Sequence, residues 1–173
     1  MTMLRPFLSL SLFAGLISLS ACGDEVNLDA VPTAKAGCEA PTADALRAGG
    51  TMLPGRNCND CHKSGGQASE YVWTAAGTVY SKRGVGTACN SSGADGVLVE
   101  LIDMTDKVLA KTTSNSAGNF YFTSSQFSGN ALVRARVTKG AATKTMASPV
   151  SVAGGCAVCH QPGGSAGDRI FVE

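Results

Sequence analysis

The sequence predicts a mostly β protein: an antiparallel sandwich of six or seven strands, flanked by two short helical segments. Three observations carry that expectation. Residues 77–148 hold short runs rich in β-branched and aromatic residues, several alternating with period two. Clusters of Gly, Ser, Asn and Asp separate the runs at turn-like intervals. The pattern Cys-x-x-Cys-His occurs once on each side of this region, at Cys58–His62 and Cys156–His160.

In chain order, Arg5 gives a short positive start and Phe7 to Leu19 an apolar stretch too short to span a bilayer as a stable helix. Residues 1–21 therefore read as a secretory signal peptide. They run into Leu19-Ser20-Ala21-Cys22, which resembles the bacterial lipobox, and the resemblance implies that Cys22 is lipidated and becomes the first mature residue. Gly23 rather than aspartate follows, which by likeness to Gram-negative lipoproteins implies outer-membrane sorting. Residues 22–41 are small, polar and aperiodic, a tether. Residues 42–72 form the first motif segment, opening on a short helix with Thr42 as N-cap and Gly49-Gly50 as its stop.

The strand-rich body covers 73–150. Gly77–Tyr80, Val97–Met104, Val108–Thr113, Asn119–Thr123, Ala131–Thr138 and Ala141–Ser148 are the expected strands. Val97, Val99 and Leu101 alternate with Leu98, Glu100 and Ile102, and Val133, Ala135 and Val137 alternate with Arg134, Arg136 and Thr138. Turns fall at 91–96, Thr105-Asp106, 115–118 and 128–130. Residues 151–173 form the second motif segment.

The two motif segments are copies. At an offset of 98 residues, Cys58–Trp73 lies over Cys156–Phe171 with the shared pattern Cys-x-x-Cys-His-x-x-Gly-Gly-x-Ala-x-acid-x-aliphatic-aromatic. Each unit reads as a helical turn, a glycine break and a strand-like exit carrying Trp73 or Phe171. Both aromatics suit plain core packing, or packing on a cofactor edge.

Cys-x-x-Cys-His is the attachment signature of c-type haem. Two thiols at i and i+3 add across the vinyl groups, and the next histidine reaches the iron. Cys58, Cys61, Cys156 and Cys159 thus bind haem, and His62 and His160, the only two histidines, ligate iron. With Cys22 taken by lipid, Cys38 and Cys89 remain of seven cysteines. Export would let them pair, contributing roughly 3–4 kcal/mol by loop closure, or they stay free thiols.

Gly77-Thr-Val-Tyr80, Gly96-Val-Leu-Val-Glu-Leu-Ile-Asp103 and Thr112-Thr-Ser-Asn-Ser-Ala-Gly-Asn-Phe-Tyr-Phe122 resemble the carboxypeptidase regulatory-like family. The resemblance covers about 77–148 and implies a transthyretin-like, Ig-like sandwich with no catalytic residues. Function does not follow from that fold.

No histidine remains for the far side of either iron. Met52, six residues before the first motif, and Met146, ten before the second, are the candidate axial ligands. Met104 sits at a strand end, where an exposed side chain is the plainer reading. A five-coordinate iron, a lysine or a partner's side chain are the alternatives. The several helices and proline-to-methionine loop of small cytochromes c are absent.

The expected function is single-electron transfer by a lipid-anchored dihaem cytochrome in the cell envelope, a carrier rather than an enzyme. Its partners would be the membrane, through the lipid, and other redox proteins or multihaem cytochromes. Without Arg5 the chain has equal basic and acidic counts, from totals of 14 and 13, and no basic patch for nucleic acid. The competing readings are a structural lipoprotein with a four-thiolate zinc site, and a haem sensor or enzyme with an open axial position. The histidine after each cysteine pair has no purpose in a zinc site. The lack of a distal histidine leaves peroxidase chemistry without its usual proton shuttle.

Overall fold

A computed structural model describes residues 49–83, 93–152, 155–161 and 163–173. The signal peptide, Cys22, Cys38 and Cys89, and most of the expected helix at 42–50, lie outside the described residues. The chain is mostly β: β1 (Trp73–Tyr80), β2 (Leu98–Ile102), β3 (Val108–Thr113), β4 (Asn119–Thr123), β5 (Leu132–Lys139), β6 (Ala142–Thr145), β7 (Val150–Ser151) and β8 (Ile170–Phe171). Its helical elements among the described residues are three-residue 3-10 turns at Gly49–Thr51, Cys58–Asp60 and Cys156–Val158.

Two sheets form. One has the order β4-β1-β8, the other β3-β2-β5-β6 with β7 also on β5. All pairings are antiparallel except the short β1–β8 ladder, Val79↔Ile170 and Tyr80↔Phe171. Ala75, Val79, Phe120 and Phe122 from the first sheet meet Val99, Leu101, Val133 and Val137 from the second in one buried cluster. Alternation explains this, because inward positions of paired strands coincide: Val99 faces Val137 and Leu101 faces Ala135 across β2–β5. The outward partners Glu100 and Arg136 form an ion pair at 2.7 Å. Ile102 departs from the expected alternation and is fully buried, at the point where the β2–β3 register shifts by one residue. The Asn115–Gly118 turn closes as its chemistry dictates, Asn115 Oδ1 accepting from the amides of Ala117 and Asn119.

Strand β1 begins four residues before the expected Gly77, and that extension carries a bulge between Trp73 and Ala75. A single-residue slip flips a side chain to the opposite face of a sheet. Trp73 therefore joins Tyr121 on the outer face, while Ala75 faces the core. β1 is the strand on which both Cys-x-x-Cys-His segments assemble.

Candidate functional site: paired Cys-x-x-Cys-His turns

The sequence repeat is a structural repeat. In each copy the cysteine pair opens a 3-10 turn: Cys61 N donates to Cys58 O and Cys159 N to Cys156 O, both at 3.3 Å. His62 N and His160 N donate back to the first cysteine carbonyl, both at 2.9 Å. The glycine pair then folds the chain over, so that Ala68 N reaches Cys61 O at 3.1 Å and Ala166 N reaches Cys159 O at 3.2 Å. A Cβ on Gly66 or Gly164 would stand 2.2 Å from the carbonyl oxygen of Cys61 or Cys159. The second glycine of each pair is thus a packing requirement of the turn, while the first, Gly65 or Gly163, has open space and a left-handed φ of 72° or 74°.

Each histidine is oriented by a backbone carbonyl. His62 Nδ1 lies 2.9 Å from Tyr71 O, and His160 Nδ1 lies 3.3 Å from Asp168 O. A carbonyl only accepts, so Nδ1 carries the proton and Nε2 is left with its lone pair. Burial holds both imidazoles below the ordinary histidine range, with the carbonyl bond opposing it, which keeps them neutral at pH 7. His62 Nε2 is buried and has no hydrogen-bond partner.

The surroundings of the two rings differ. His62 is 5 % exposed and stacks on Trp73 at 3.5 Å between centroids, and Trp73 stacks on Tyr121 at 4.5 Å. The outward turn of Trp73 at the bulge makes this triple stack possible. The second motif instead closes one end of the space between the sheets. Cys156, Cys159 and His160 line an apolar cavity of about 250 Å³ whose opposite walls include Val133, Val137 and Met146.

The two turns abut, although 98 residues separate them in the chain. A Cβ on Gly155 would stand 2.3 Å from Asn57 Oδ1, and one on Gly77 would stand 2.9 Å from Cys156 Cβ. Asn59 Nδ2 donates to Trp73 O at 2.8 Å, tying the first turn to the same strand. Burial pushes the Cys58 thiol up to about 11 and the Cys156 thiol up to about 12, the charge of Cys58 being the next cause at Cys156. Gly155 also has φ of 76°, a left-handed conformation. Gly155→Ala is expected to destabilise the protein by about 1–3 kcal/mol by overpacking and backbone strain. Denaturant unfolding checks it; an unchanged midpoint would show that the turns do not need this approach.

The sequence-predicted methionines part company. Met146 N donates to Ala135 O at 2.9 Å, extending the β5–β6 pairing, and its residue lines the cavity with His160. Met52 is held elsewhere: its carbonyl accepts from Asn119 Nδ2 at 2.8 Å, beside Thr78. His62 stacks at Trp73, five residues away along β1, or about 16 Å of strand. Met104 is exposed.

The donor set fits c-type haem. Each turn offers two thiols and one imidazole whose outer nitrogen is anchored, the second-shell arrangement that orients a ligating histidine. Cys58, Cys61, Cys156 and Cys159 are not joined in disulfides. Buried polar atoms without partners are uncommon and call for a reason. Four of the five among the described residues are Asn57 Oδ1, Asn59 Oδ1, His62 Nε2 and Tyr80 Oη, the first three within the first motif segment. Among the described residues no three His, Cys, Asp or Glu side chains gather as a metal-holding group, so the four thiols do not form the tetrahedral cage that zinc requires. A haem iron would make no such demand, since each of two haems would need only the imidazole of its own turn.

Sequence reasoning placed the cysteines and histidines but missed Trp73 as the partner of His62, and Tyr121 altogether. It also missed Gly155 against Asn57 as the contact between the turns, and Gly77 as the place where β1 receives Cys156. The only signal for Trp73 was its recurrence as Phe171 in the repeat.

Fold and site together define a two-sheet β protein that carries a paired Cys-x-x-Cys-His centre on one strand. Comparison with protein-family models, curated proteins and solved structures finds no match. Among the described residues no helix is long and apolar enough to cross a membrane.

Proposed function

We propose that this protein is an envelope electron carrier with two covalently attached c-type haems, on a sandwich of the transthyretin-like kind, anchored by lipid at Cys22 in the outer membrane. The observation that carries the reading is the congruence of the two turns: same hydrogen bonds, same glycine fold-over, and in each a neutral imidazole whose Nδ1 is held by a backbone carbonyl. When bound, haem supplies reversible one-electron chemistry at iron. The protein's part is to hold, orient and shield. Cys58, Cys61, Cys156 and Cys159 provide the thioether links, and His62 and His160 the proximal ligands. Met146 is the candidate distal ligand of the second site, since it lines the same cavity as His160.

The contact between Gly155 and Asn57 supports a function in which the two centres work as a pair. Electrons exchange fastest between centres held close and rigidly, and these turns meet where Gly155 packs against Asn57. Trp73 and Tyr121 extend the conjugated surface from His62 to the protein exterior, where Tyr121 is 45 % exposed. That side suits transfer to a redox protein or multihaem cytochrome. Cys38 and Cys89 would brace the N-terminal segment as a disulfide.

The test is expression of the full chain with a c-type maturation system. Haem-stained bands on a denaturing gel and oxidised and reduced spectra should show two haems per chain. Absence of covalent haem would overturn the reading.

A further inference from the structure

We propose that Trp73 is the positioning residue of the first site: its indole, stacked on His62, fixes the plane of that imidazole, and the second site has no counterpart. This rests on the haem reading above and adds a residue that acts on the iron only through its ligand.

The His62 ring is held from two directions. Tyr71 O accepts from its Nδ1 at 2.9 Å, which ties down one edge of the ring. Trp73 covers a face, with centroids 3.5 Å apart and planes 13° from parallel. A hydrogen bond at one edge leaves an imidazole able to rock about that bond, and a flat ring against its face removes the freedom. The indole is itself fixed. Trp73 N donates to His62 O at 3.2 Å, Trp73 O accepts from Asn59 Nδ2 at 2.8 Å, and Tyr121 stacks on the indole at 4.5 Å.

Core packing does not account for this arrangement. In regular alternation Trp73 would share the inward face of Ala75, where a large apolar ring gains most from burial. The bulge between them turns the one tryptophan of the chain away from the buried cluster and onto the ligand. The repeat supplies an internal control. Phe171, the counterpart of Trp73 at the offset of 98 residues, lies 3.5 Å beneath the Lys144 ammonium. Among the described residues no aromatic ring stacks on His160, whose bond to Asp168 O is longer at 3.3 Å.

The plane of an axial imidazole sets the splitting of the iron d levels, and shielding of the ligand from water raises the potential. Electron paramagnetic resonance of the oxidised full-length matured protein should give two ferric signals. The single-site variants, Cys58→Ser with Cys61→Ser and Cys156→Ser with Cys159→Ser, assign them. The first-site signal should be the narrower, because one ligand plane gives one set of g values. Trp73→Leu should keep two covalent haems, broaden that signal and lower one of the two midpoints in an optical redox titration, leaving the other in place. Trp73→Phe, which retains a flat ring, should restore the wild-type signal and midpoint. A wild-type first-site signal as broad as the second would overturn the positioning role and leave the haem reading standing. So would a Trp73→Leu protein that carries both haems with unaltered signals and midpoints. A wild-type chain with no covalent haem would overturn both.

Discussion

Replacing Cys156 and Cys159 with serine is expected to cut covalent haem from two per chain to one, and the Cys58→Ser, Cys61→Ser pair is expected to do the same at the other site. Each turn is closed by its own hydrogen bonds, Cys61 to Cys58 in one case and Cys159 to Cys156 in the other, so each can be occupied without the other. The two single-haem proteins should nevertheless differ. The first turn keeps its imidazole against Trp73 and Tyr121, whereas the second borders the cavity between the sheets. Burial in an apolar space raises a potential, so the haem on Cys156 and Cys159 should be the more oxidising. Haem content by alkaline pyridine spectra, intact mass and redox titration together measure this. Loss of both haems from either variant would show that the turns fold only as a pair. A lower potential at the second site would show that burial does not set the order.

Met146→Ala should change the coordination of one haem and leave the other as it was. His160 and Met146 face the same cavity, so truncation of the thioether should convert that iron from six-coordinate to five-coordinate. The methionine-to-iron charge-transfer band should disappear, and the reduced protein should bind carbon monoxide at one haem per chain. Loss of a methionine ligand also lowers the potential of that haem. Met52→Ala should leave these spectra unchanged, because the Met52 backbone is held at the Thr78–Asn119 end of β1 while His62 stacks at Trp73. If Met52→Ala removes the band and Met146→Ala does not, the first site carries the methionine. If the unaltered protein already binds carbon monoxide at both haems, neither methionine is a ligand and the open-site sensor becomes the better reading.

The strand-rich body was legible because its information is local. Val108–Thr113 and Asn119–Thr123 are strands with the bounds their composition predicts, and the other four runs overlap β1, β2, β5 and β6. Period-two alternation reports which face is buried, and Val99, Leu101, Val133 and Val137 face the core accordingly. Alternation failed at Ile102, beside a register shift, and the expected run to Ser148 went three residues past the end of β6 at Thr145. The two-residue strands β7 and β8 are too short to show a period; β8 was visible only as the repeat's strand-like exit.

The sequence by itself determined which cysteines and histidines form the repeated unit, and that each unit opens on a single turn. Spacings of three and four residues bring their groups together in any chain that makes one helical turn, so no tertiary contact is needed to read them. Only the tertiary structure decided that the two units abut, that a bulge turns Trp73 onto His62, and that Met146 shares a cavity with His160. Those relations join residues far apart in the chain. They depend on strand order, on a one-residue slip in register and on the absence of a side chain at Gly77 and Gly155, none of which leaves a periodic trace in the sequence.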